Sequence, residues 1–353
     1  MVWGIVCEFN PFHRGHRYLI DTIKNKDDAV ICVMSGNFVQ RGEAAVYDKF
    51  TRAKAALEGG ADLIIEIPTP CATLSAPGFA KAGVTLLEAT GVVDRLAFGA
   101  ECDDIETLKA AAKAVKDSDE EIRAALANGL SYPAARQQAV GSSLLETPNN
   151  ILAIEYINCT SLPCTAVKRI GKGHDSDDAL YSASEIRKTL NENEIASLKN
   201  AERAILYKLR TMSTEDFAGL DDVNEGLENR IAEAVKTAGS LDELYALIKT
   251  KRFTHARIRR IILRAFLGID ANTPKTPSAL RILGFNEKGR ELLTEIKKTA
   301  TLPIITGYAD AKRTGGDALK AFEAESLYTD IYNIMYKAPR PCGTEMTDKI
   351  VVV

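Results

Sequence analysis

No apolar run in this sequence reaches the ~18 residues that a membrane-crossing helix needs, and the apolar start of the chain is interrupted by Glu8 with no basic segment before it. Neither secretion nor membrane spanning is expected. Cysteine follows no framework: Cys7, Cys32, Cys71, Cys102, Cys159, Cys164 and Cys342 are odd in number, scattered and without a Cys-x-x-Cys pair. That pattern points to reduced thiols and a cytoplasmic location. There are four histidines, and only His13 and His16 lie close together, so a structural zinc site is not expected. Excess positive charge is also missing. The formal net charge is −3, so any surface for nucleic acid must be local. Three familiar motifs are absent as well: a Gly-x-x-x-x-Gly-Lys-Ser/Thr loop, a Gly-x-Gly-x-x-Gly turn after the first strand, and a His-Glu-x-x-His helix.

What is present suits two or three domains: 353 residues, 46% apolar and 26% charged. The first hundred residues alternate short apolar runs rich in β-branched residues with helical spacing, the pattern of parallel βαβ units. Strands are expected at Val2 to Cys7, Val30 to Met34, Leu63 to Ile67 and Arg95 to Phe98, and a last one at Thr165 to Ile170. Helices are expected between them, with a single acidic cover helix from Asp103 to Asn128. From about Asn193 helical periodicity takes over, so the division expected is 1–192, an α/β domain, and 193–353, a mainly helical domain. A small strand at Leu302 to Ile305 is the exception.

The sharpest signal is Gly4-Ile5-Val6-Cys7-Glu8-Phe9-Asn10-Pro11-Phe12-His13-Arg14-Gly15-His16. A strand runs into a turn that delivers His13 and His16 to the start of a helix, and i,i+3 spacing lets both imidazoles address one ligand. The amides of a helix start favour anions, and Gly15 leaves room for a phosphate near the backbone. A nucleoside triphosphate is a sensible ligand. A metal-binding pair or a structural turn also fits the string alone, but the carboxyl end of a strand is where a phosphate site belongs in a doubly wound fold. Cys7 reads as a buried strand residue and not as an acyl carrier. Further on, Asp48, Lys49 and Arg52 share a helix face, where an Asp48–Arg52 ion pair competes with ligand contact. Arg187 follows Ser184 at the position where a capping box would place an acid, which favours a phosphate site over a simple cap.

These residues also carry a resemblance. The His-x-Gly-His string resembles the nucleotidylyl-transfer superfamily. Gly4 to His16, Ser35 to Glu43, Gly60 to Pro68 and Pro148 to Leu152 together resemble the bacterial tRNA(Met) cytidine acetate ligase family over nearly the whole chain. That resemblance implies a Rossmann-like, HUP-type doubly wound parallel sheet with a second, mainly helical domain. It implies His13, His16 and Lys49 as catalytic groups. ATP contacts are implied at Ile5, Val6, Cys7, Asn10, Pro11, Phe12, Gly15, Gly99, Asn149, Asn150, Arg169, Ser184 and Arg187, with Ser182 and Lys168 nearby. Mg2+ would come with ATP, without an assigned protein ligand. The implied activity is formation of acetyl-adenylate from free acetate, then acetylation of N4 of the wobble cytidine, position 34, of elongator tRNA(Met). The alternative is nucleotidylyl transfer to a small phosphorylated metabolite. Neither DNA nor a membrane is an expected partner.

One local basic stretch offers an RNA surface. Lys249 to Arg264 contains no acid, and Arg257, Arg260 and Arg264 fall on one helical stripe, with Lys251 and Arg252 just before it. These five are the expected tRNA contacts, a solvated basic helix being the plainer reading.

Overall fold

The structure is a computed structural model that describes residues 1–128, 130–169 and 183–353. Ser182, and the last residue of the strand expected at Thr165 to Ile170, lie outside the described residues. The strands are β1 (Val2–Cys7), β2 (Ala29–Ser35), β3 (Phe38–Val39), β4 (Glu43–Ala44), β5 (Leu63–Ile67), β6 (Arg95–Ala100), β7 (Cys164–Lys168), β8 (Leu280–Phe285), β9 (Ile304–Ile305) and β10 (Val351–Val352). Among the described residues eight of them form one sheet in the order β10-β8-β5-β2-β1-β6-β7, with β9 also on β8. Pairing is parallel except between β5 and β8.

The central strands are almost wholly apolar, Glu66 of β5 being the charged exception, because both faces are covered. Alternate side chains sort to opposite sides: Val6, Val33, Ile65 and Phe98 enter one core, Ile5, Cys32, Ile64 and Ala97 the other. Helices α1 (Arg14–Ile23) and α2 (Lys49–Glu58) cover the second face. The first face carries the next helices: α3 (Thr69–Ala72), α4 (Ala76–Ala89), α5 (Ile105–Asp117), α6 (Asp119–Ala127), α7 (Tyr132–Val140) and α8 (Pro148–Cys159). The acidic segment expected as one helix is thus two, divided at Ser118, whose ψ of 22° leaves the helical range.

After α9 (Ala183–Thr189) the chain builds a second core from α10 (Glu202–Arg210), α11 (Thr214–Ala218), α12 (Leu227–Thr237), α13 (Leu241–Ile248) and α14 (His255–Leu267). It then returns to the sheet. β8 extends it beyond β5, α15 (Glu287–Thr299) packs Leu293 and Ile296 into the first core, and α16 (Tyr308–Thr314), α17 (Gly316–Asn333) and α18 (Thr344–Thr347) follow. The sheet therefore crosses the expected 192/193 division: β8, β9 and β10 come from the later part. β1 lies between β2 and β6, so consecutive crossovers leave it in opposite directions and open a crevice at its carboxyl end.

Candidate active site

The crevice is a cleft of about 780 Å3, and the end of β1 and the start of α1 form one wall. His13 is the N-cap of α1, with extended backbone (φ −149°, ψ 175°). Its Nδ1 accepts from Gly15 N at 3.0 Å, and His16 Nδ1 accepts from His13 N at 3.3 Å. The two imidazoles thus make the reciprocal cap that Ser and Glu usually make, and the rings stack with centroids 3.7 Å apart. With each Nδ1 occupied as an acceptor, the neutral ring carries its proton on Nε2, a donor free for a ligand. Burial, then the nearby Arg169 and Arg187, lowers the His13 pKa to about 4. Burial, then His13 and Arg169, pushes His16 well down too. Both rings are neutral donors at ordinary pH.

Cations flank the pair. Arg187 Nη1 donates to the Asn10 carbonyl at 2.7 Å, and its Nη2 reaches Ser184 Oγ at 3.3 Å. Arg169 Nη1 donates to Asn149 Oδ1 at 3.3 Å. Asn149 Nδ2 is held by Glu101 at 2.6 Å. The structure brings Ile5, Val6, Cys7, Asn10, Gly15, Gly99, Asn149, Arg169, Ser184 and Arg187 to this one cleft with both histidines.

Other expected site residues do not reach it. Pro11 and Phe12 are not in its lining; Phe12 packs against Phe9, with ring centroids 5.0 Å apart. Asn150 is buried, and its Oδ1 is committed to Cys102 N at 2.9 Å. Lys49, expected as a catalytic group, lies outside the cleft lining: it is 1% exposed, and its Nζ lies 2.7 Å from Glu66 and 2.8 Å from Glu345. Arg52 neither pairs with Asp48 nor faces a ligand. It donates to the carbonyls of Glu8 at 2.6 Å, Ser35 at 3.1 Å and Gly36, tying together the carboxyl ends of β1 and β2. Asp48 instead caps α2 through Thr51 N at 2.8 Å.

The basic stripe on α14 also changes character. Arg264, expected as an RNA contact, is buried, donating to the Pro70 carbonyl at 3.2 Å and pairing with Asp221. Arg260 is buried beside Asp222 at 3.8 Å. Arg257 donates to Asn224 Oδ1 at 2.7 Å and sits 5.2 Å over the Phe253 ring. Asp221, Asp222 and Asn224 precede α12, distant in sequence from the arginines they hold. Arg252, Arg257 and Arg260 still line the far wall of the cleft, and Lys251 is exposed. The sequence reading missed Glu8 and Arg136. Glu8, in the cleft lining, accepts from Gln40 N at 2.6 Å, and burial raises its pKa. It lay unread inside the histidine motif.

A central crevice at β1 with a capped His-x-Gly-His turn is the arrangement of a HIGH-type nucleotidyl transferase, and the family model described as HIGH Nucleotidyl Transferase matches residues 1–203 and 191–346. A protein of Acetivibrio thermocellus named tRNA(Met) cytidine acetate ligase is 36% identical over 414 residues, covering 100% of both chains. One of that name from Caldanaerobacter subterraneus is 38% identical, with 95% of each covered. The solved structure of Thermotoga maritima TmcAL bound with alpha-thio ATP superposes with a TM-score of 0.88 at 31% identity, covering 100% of this chain and 99% of that one. The chain belongs to the tRNA(Met) cytidine acetate ligase family and is an enzyme with a Rossmann-like, HUP-type fold.

Proposed function

We propose that the protein uses ATP to activate free acetate as acetyl-adenylate and then acetylates N4 of the wobble cytidine of elongator tRNA(Met). The observation that carries this reading is the stacked histidine pair, neutral and with both Nε2–H donors free, at the one cleft shared with Arg169 and Arg187. A carboxylate oxygen attacks the α-phosphorus, the bond to pyrophosphate breaks, and the mixed anhydride forms. His13, His16 and Arg187 hold two anions together and stabilise the charge that develops, so no covalent nucleophile is needed. The cytidine N4 then attacks the acetyl carbon, AMP leaves, and the amine loses a proton. The Thermotoga relative's alpha-thio ATP supports placing ATP here.

Among the described residues no group of three or more His, Cys, Asp or Glu could hold a metal ion. Mg2+ is therefore assigned to the ATP phosphates and water, and no step is derived through it. Residues 193–353 are proposed to contribute the tRNA surface, with Lys251 and Arg252 at the rim and a cytidine splayed into the cleft.

The test is incubation with ATP, acetate and purified tRNA(Met), with each omitted in turn, followed by nucleoside mass analysis. Acetylated cytidine is expected only with all three, and pyrophosphate release with acetate but without tRNA. Pyrophosphate release that ignores acetate and depends on a phosphorylated metabolite would overturn the reading.

A further inference from the structure

Part of the cleft lining comes from the α4 face of the sheet. There α7 supplies Arg136, α8 supplies Leu152 and Tyr156, the end of β6 supplies Phe98, and Leu145 closes the group; all five line the cleft. Arg136 is 2% exposed. Its Nη1 lies 2.6 Å from Glu155 Oε1, and its guanidinium sits 5.4 Å from the centre of the Tyr132 ring. Nε and Nη2, by contrast, are buried with no hydrogen-bond partner among the described residues. They are the two donors on one edge of the planar fork. A buried cation with one edge unmet in an apolar wall costs free energy, and that edge matches the two oxygens of a single carboxylate.

We propose that this part of the cleft is the site of the small carboxylate substrate, with the Nε–Nη2 edge of Arg136 holding both oxygens and Phe98, Leu145, Leu152 and Tyr156 enclosing the short alkyl group. The inference rests on the adenylating reading above and assigns it a binding residue. Cytosine also offers two adjacent acceptors, O2 and N3. The wall around those donors is apolar, however, which suits the short alkyl group of a two-carbon acid and not a base still joined to its ribose. Glu155 lies beside Nη1, away from the Nε–Nη2 edge, and balances the charge of the guanidinium.

The test uses the full chain and acetate-dependent ATP–pyrophosphate exchange. Arg136→Met paired with Glu155→Gln avoids a stranded carboxylate, and Arg136→Lys keeps the cation. In the double variant KM for acetate should rise on the order of 10- to 100-fold while KM for ATP stays within about twofold, with partial recovery in Arg136→Lys. Leu145→Ala should raise the use of propionate relative to acetate, a readout independent of the arginine. An unchanged acetate KM, an equal rise in both constants, or Leu145→Ala with unaltered acid preference overturns the proposal. So does normal exchange with a raised KM for tRNA, which would give the edge to the cytosine. A parent protein without acetate-dependent exchange overturns the adenylating reading itself, and this site with it.

Discussion

At the scale of single residues, the histidines matter through the atoms they withhold. Each Nδ1 is used within the turn, so loss of His16 removes a cap and a ligand donor together. His16→Ala should lower acetate-dependent pyrophosphate release by about 10²- to 10³-fold, as loss of one preorganised donor does, while tRNA affinity stays near that of the parent. Parent-level release would contradict the role. The same withholding makes stability depend on pH. An unfolded histidine takes up a proton below about pH 6.5, whereas buried His13 resists until about 4. Stability is therefore full above the unfolded value and declines as pH falls through that window, by on the order of 3 kcal/mol from His13. Urea unfolding at pH 7 and pH 4.5 should show a smaller loss in His13→Asn than in the parent, and equal losses would refute the assignment. The pair was legible because its signal is local: strand, turn and i,i+3 spacing lie within one segment. The partners of Lys49, Asn150 and Arg264 were not legible, because Glu345, Cys102 N and Asp221 are far off in sequence.

At the scale of elements, the long apolar strands were legible and the short pieces were not. β3 and β4 have two residues each, too few to show alternation, and β8 carries Arg281 as its second residue, which breaks an otherwise apolar run. Yet the β3–β4 hairpin sets one edge of the cleft against α14. Gly42, at φ +73°, makes the turn, and a Cβ there would lie 2.5 Å from Arg260 N and 2.6 Å from Arg259 C. Backbone on α14 cannot yield as a side-chain tip would, so Gly42→Ala should destabilise by about 2 kcal/mol or more, measured by denaturant unfolding. The helix itself separates two kinds of basic residue. Arg264→Ala removes a buried cation with its ties to the Pro70 carbonyl and to Asp221, which keeps Lys275, and should cost about 2 kcal/mol of stability. Lys251→Ala should leave stability within about 0.5 kcal/mol of the parent and reduce the salt dependence of tRNA binding by close to one phosphate contact. A reversed pattern would show that the exposed rim is not the RNA surface.

At the scale of the whole molecule, a second core draws most of its residues from Ala196 onward, while the chain's return to the sheet left no mark in the sequence comparable to the change of periodicity. That return decides whether residues 1–192 can stand alone. Leu280, Ile282, Leu293 and Ile296 all enter the first core, and four such side chains at about 1.5–3 kcal/mol each amount to roughly 6–12 kcal/mol. The sum is comparable to the ~5–15 kcal/mol net stability of an ordinary folded protein. Removing them would also uncover the edge of β5, an apolar strand and an invitation to aggregate. Polar ties run the same way: Lys49 on α2 and Glu66 on β5 meet Glu345 on α18, which also holds Arg281 of β8 at 3.2 Å. Cutting after residue 192 leaves Lys49 and Glu66 facing an opening where matched charges were. The full chain should therefore unfold with the sheet and the C-terminal strands lost together. A fragment of residues 1–192 should show no cooperative transition by circular dichroism in urea. A soluble fragment that unfolds cooperatively would mean that β8 and α15 decorate a sheet already complete without them.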